Sequence, residues 1–111
     1  MVKFAIAALL AALAAASNAV ADGVQLLDFS SPQCGPCRSM APVFEEAAAT
    51  IEPAARFAKL NTDEAQQVAT RYGIRSIPTL MVFRDGREVA RQAGAMDPAS
   101  LRRWLSSALA A

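Results

Sequence analysis

Cys34-Gly35-Pro36-Cys37 constrains this chain more than any other stretch. It holds the only two cysteines, and the sequence has no histidine. An apolar run, Val24-Gln25-Leu26-Leu27-Asp28-Phe29, precedes it, and a helical pattern begins near Arg38. The local order is therefore strand, short loop and helix, with Cys34 at the helix N-terminus. Unpaired backbone N–H groups and the helix dipole favour a thiolate there. Cys37 follows one helical turn later, within reach for a disulfide. Gly35 and Pro36 keep the turn tight, and Pro36 lacks an N–H that a first helical turn does not use.

This pair reads first as a dithiol that opens and closes, with Cys34 attacking a substrate disulfide and Cys37 resolving the mixed disulfide. A structural disulfide is the rival reading. A bridge across two intervening residues closes a very small loop, however, and constrains the unfolded chain little. A zinc site would need ligands that two cysteines without histidine do not supply within one chain, so no metal and no cofactor are expected.

The rest of the chain supplies a mixed sheet. Residues 34 to about 51 have apolar positions at helical spacing, with Pro42 inside, where a kink is expected. Glu52-Pro53 ends that helix. Arg56–Asn61 reads as a second strand, Asp63 as the N-cap of a helix running to about Tyr72, and Gly73 as its stop. Thr79–Phe83 reads as a third strand. Asp85-Gly86 signals a hairpin that returns Arg87–Gln92 as a fourth. Asp97-Pro98 opens a last helix, with Leu101, Trp104, Leu105 and Ala108 facing the core. The fold class is α/β: a four-stranded mixed sheet flanked by helices, with the dithiol where the first strand meets its helix.

Residues 1–21 differ from the remainder. Met1-Val2-Lys3 is basic, Phe4–Ala16 contains no polar residue, and Ala19-Val20-Ala21 ends the stretch before Asp22. This pattern is that of a secretory leader, with residues 22–111 as the mature domain, exported to the periplasm. The alternative is a retained N-terminal helix in a cytoplasmic protein. With 111 residues, 54% of them hydrophobic, and a net charge of +1, the chain suits one globular domain and offers no basic stripe for nucleic acid.

Asp28-Phe29, Cys34-Gly35-Pro36-Cys37, Pro42, Lys59, Ile77-Pro78-Thr79 and Gly94, in this order and spacing, resemble the thioredoxin family over roughly residues 24–109. The resemblance implies a thioredoxin fold and reduction of protein disulfides by a monomeric enzyme that is recharged by an electron-donating reductase. It also implies that Asp28 lies behind Cys37 and exchanges its proton, with Lys59 nearby. Pro78 would be a cis-proline whose neighbour Ile77 offers its backbone to an extended substrate, in a groove completed by Gly35, Pro36 and Gly94. Two positions depart from the family: Gln33 and Ser30 stand where tryptophans are usual. The competing expectation from another class is a thioredoxin-fold binding or scaffold module with a merely structural disulfide.

Overall fold

The structure, a computed structural model, describes residues 23–110. The expected leader, residues 1–21, and its alternative as a retained helix lie outside the described residues.

Strand β1 (Val24–Ser30) leads into helix α1 (Gly35–Ile51), then come β2 (Arg56–Asn61), α2 (Gln66–Arg71), β3 (Thr79–Arg84), β4 (Arg87–Ala93) and α3 (Pro98–Ala110). The strands form one sheet in the order β2-β1-β3-β4. β1 pairs in parallel with β2 and antiparallel with β3, and a core layer covers each of its faces. That position explains its almost unbroken apolar run.

Side chains alternate across β1. Leu26 joins Met40 and Phe44 of α1, Leu80 and Val82 of β3, and Leu101, Leu105 and Ala108 of α3 in one core layer. Trp104, expected in the core, packs against this layer half-buried. Leu27 and Phe29 face the other way and pack with Leu60, Met81 and Phe83, with Tyr72 tilted against Phe29 and edge-on to Phe83. Each fully buried leucine, valine, methionine or phenylalanine of these layers contributes about 1.5–3 kcal/mol relative to exposure.

The punctuation falls where the sequence placed it. Gly73 has φ +66°, and Asp85 and Gly86 have φ +53° and +81°, the two left-handed positions of a tight hairpin turn. Asp97 Oδ1 accepts the Ser100 N–H at 2.7 Å and caps α3. Hydrogen bonds from Ser100 hold the Asp97 carboxyl below the usual carboxylate range. At the other end of α3, the Arg84 guanidinium donates to the Leu109 carbonyl. Helix α1 runs through Pro42 as one continuous element.

The second helix differs from expectation. It begins at Gln66 rather than after Asp63, and its N-cap residue, Ala65, makes no side-chain capping bond. The reason is local. Asn61 Oδ1 takes the Asp63 N–H at 2.9 Å, and the Asn61 carbonyl accepts from Glu64 and Ala65, so residues 61–65 form a turn. The Asp63 carboxylate is engaged elsewhere, with Ser31.

Candidate active site

Cys34 is the N-cap of α1, in extended conformation with φ −95° and ψ 118°. Gly35 and Pro36 occupy the first helical turn, both exposed, and the helix carries no acidic residue there to oppose a thiolate. Cys34 and Cys37 form a disulfide, with Cα atoms 5.2 Å apart. The Cys37 N–H donates to Cys34 Sγ at 3.1 Å, so one of the orphan donors of the helix start already points at that sulfur. Cys34 is half-buried, whereas Cys37 is 5% exposed. Only one sulfur of the pair is presented to a large partner.

The Ile77–Pro78 peptide is cis, as the resemblance implied. The Ile77 carbonyl oxygen lies 3.9 Å from Cys34 Sγ. Between an oxidised sulfur and a carbonyl this is a contact, because neither carries a proton to donate. The backbone before Pro78 therefore borders the sulfur that faces outward. The Pro78 carbonyl accepts the Gly94 N–H at 2.8 Å, which ties the third element of the rim to the second. Gly94 has φ +96°, a conformation that L side chains rarely adopt, while the space a Cβ would occupy is open. Backbone conformation is thus what requires glycine here, and the open space remains in front of it.

Asp28 sits in the middle of β1, 2% exposed. It is opposite Leu80 on β3 and beside Lys59 on β2. Leu80 belongs to the layer beneath α1, and directly opposed residues point to the same face. Asp28 therefore faces the underside of the helix that carries Cys37. The Lys59 ammonium reaches the same side, 5.9 Å from the centroid of the Phe44 ring. Burial pushes the Asp28 carboxyl from an ordinary 3.8 up to about 6, and the Lys59 charge pulls it partly back. Its Oδ1 is buried without a hydrogen-bond partner among the described residues.

Cys34, Cys37, Gly35, Pro36, Ile77, Pro78 and Gly94 thus lie around one end of the sheet, with Asp28 below them. Two further residues lie at this end: Ser31, which the sequence did not single out, and Asp63, read from sequence only as a helix cap. They are hydrogen-bonded across 32 positions of sequence, which leaves no trace in any local pattern. Among the described residues, no group of three or more histidine, cysteine, aspartate or glutamate side chains is arranged to hold a metal ion.

A disulfide approachable through one sulfur, opening to two thiols at a helix start, suits the exchange of one disulfide for another. The class so defined is the Cys-x-x-Cys thiol–disulfide oxidoreductases. Residues 11–107 match the family model described as Thioredoxin. The chain is 49% identical over 84 residues to thioredoxin 1 of Nostoc sp., covering 76% of this chain and 78% of that protein. It is 42% identical over 89 residues to the thioredoxin of Rhodospirillum rubrum, 80% of this chain and 86% of that one. Against the thioredoxin of Pseudomonas aeruginosa the identity is 41% over 87 residues, 78% of this chain and 81% of the relative. The chain belongs to the thioredoxin family. It is a thiol–disulfide oxidoreductase that acts on protein disulfides, with a reductase as its general partner.

Proposed function

We propose that Cys34 is the attacking thiol, Cys37 the resolving thiol and Asp28 the group that moves the Cys37 proton, in a cycle that runs toward reduction. The reading is carried by the asymmetry of the pair: a half-buried Cys34 at the helix N-cap receives the Cys37 N–H, while Cys37 is buried. When the disulfide is reduced, the same N–H and the helix start favour charge on Cys34.

In the first step the Cys34 thiolate attacks one sulfur of the substrate disulfide. The substrate S–S bond breaks, one substrate thiolate leaves and takes up a proton, and a Cys34–substrate disulfide forms. In the second step Asp28 takes the Cys37 proton and the Cys37 thiolate attacks Cys34 Sγ. The second substrate sulfur leaves as a thiol, and the Cys34–Cys37 disulfide remains. The substrate has gained two electrons and the protein has lost two, which the reductase returns. During the mixed-disulfide stage, the Ile77 backbone would support an extended substrate segment by strand-like addition.

Reduction of insulin disulfides by dithiothreitol tests the activity. Acceleration by this protein, lost on Cys34→Ser, is expected. A wild-type protein without effect would leave the bridge a structural one on a scaffold domain.

The exported location is a separate part of the proposal. It rests on the basic start, the apolar run and the Ala19-Val20-Ala21 exit of residues 1–21. Intact-mass measurement after native expression is expected to give a chain beginning at Asp22; recovery of the full-length protein would support retention.

A further inference from the structure

Ser31 lies just past β1 in the loop that delivers Cys34, and it is 6% exposed. Its hydroxyl donates to Asp63 Oδ2 at 2.6 Å and accepts the Gln33 N–H at 3.1 Å. Its carbonyl accepts the Cys34 N–H at 3.2 Å. One residue thus receives the N–H groups of both residues that end the loop, and is itself held to the turn after the neighbouring strand β2 by a charge-assisted bond. Asp63 is fixed in turn, since its own N–H donates to Asn61 Oδ1 at 2.9 Å. Immediately before this pair, the Thr62 N–H donates to the Ser30 carbonyl at 2.9 Å. The β1–β2 pairing is therefore carried past the end of the sheet by a side-chain bond, and the loop before Cys34 hangs from it.

We propose that Ser31 and Asp63 are positioning residues for the Cys34 sulfur, holding the 31–34 loop so that the sulfur rests over the Cys37 N–H. The inference deepens the proposed mechanism and rests on the reading of Cys34 as the attacking thiol. A serine that only satisfied its own loop would need no partner across 32 positions. Without the Asp63 bond the hydroxyl is free to rotate away from the Gln33 N–H, and without the hydroxyl that N–H loses its acceptor. In either case the loop gains conformations in which the Cys34 sulfur is off the helix N-terminus. A thiolate there is less stabilised and forms at higher pH.

The test uses the reduced full chain and follows alkylation of Cys34 by iodoacetamide against pH, with the modified residue identified by mass. Ser31→Ala is expected to raise the midpoint and slow alkylation at neutral pH by about fivefold, the size of one net hydrogen bond in rate terms. Ser31→Thr, which keeps the hydroxyl, is expected to stay within about twofold of wild type on the same scale. Asp63→Asn and Asp63→Ala remove the same charge, but only Asn keeps an acceptor. The Ala variant is therefore expected to react about fivefold more slowly than the Asn variant. Adding Ser31→Ala to Asp63→Ala should slow the reaction little further, because both remove one interaction. Wild-type midpoints and rates in Ser31→Ala, together with indistinguishable Asp63→Ala and Asp63→Asn, would overturn the proposal even if thermal stability fell. Asp63 is exposed, so its two variants carry the test should Ser31→Ala not fold. Alkylation on Cys37 instead of Cys34 would overturn the underlying assignment of the attacking thiol, a result distinct from an unshifted Cys34.

Discussion

Cys37→Ser is expected to accumulate a covalent complex with a disulfide-containing protein, whereas Cys34→Ser should form none. Both variants should fall to the uncatalysed dithiothreitol background in insulin reduction. The two losses differ in kind because the two sulfurs differ in access. Cys37 lies on the buried face of α1, so it cannot approach a folded substrate. Cys34 is half-buried at the N-cap and borders the Ile77 carbonyl, where an extended chain can lie. Once Cys34 is joined to substrate, release in the wild-type protein needs only a sulfur one helical turn away, with Cα atoms already 5.2 Å apart. Such an intramolecular attack has the advantage of a prearranged pair over a second encounter in solution. Replacing that sulfur with a hydroxyl leaves the mixed disulfide without its resolving partner. Non-reducing electrophoresis and intact mass check the result. A trapped complex in Cys34→Ser, or free turnover in Cys37→Ser, would reverse the assignment of roles.

The parts of the fold that sequence made legible are those set by local chemistry. A cysteine before Gly-Pro at a helical run became the N-cap. Asp85-Gly86 became the hairpin turn, and Asp97 before Pro98 became a cap. The buried β1 run was legible because a central strand needs apolar residues on both faces, and Asp28 stood out against it for the same reason. The start of α2 was misread because Asp63 has the composition of a cap, while its carboxylate is engaged by a serine from a different loop. That competition is tertiary and has no period to detect. Lys59 was visible only through the family resemblance; its register beside Asp28 requires knowing that β1 and β2 are parallel and how far they are offset. The cis Glu52–Pro53 bond likewise had no counterpart in the matched motifs, unlike that before Pro78.

Asp28→Asn is expected to stabilise the folded protein at neutral pH while slowing the resolving step. The stability argument follows from the carboxyl value of about 6 against an ordinary 3.8. A carboxyl raised on folding means that the native state holds its proton over a pH range where the unfolded chain has lost it. Its stabilising contribution is complete below about pH 4 and is lost as pH rises through about 6. The difference amounts to about 3 kcal/mol that wild type forgoes at neutral pH, and an asparagine, which cannot ionise, avoids that loss. The amide must still be buried, so the observed gain should be nearer about 1–2 kcal/mol. Urea titration at pH 4 and pH 7 checks the sign: the advantage of Asp28→Asn should be present at pH 7 and shrink toward pH 4. The kinetic argument uses the same burial. With a value near neutrality, the carboxylate can accept a proton and return it within one cycle, and the chain has no histidine to serve instead. Asparagine cannot do this. Loss of a positioned proton acceptor should slow attack by Cys37 about a hundredfold or more. Attack by Cys34, whose thiolate is formed at the helix N-terminus without Asp28, should change little. Stopped-flow measurement of the two steps separates them, and an unchanged resolving rate would leave Asp28 as a stability liability with no part in proton transfer.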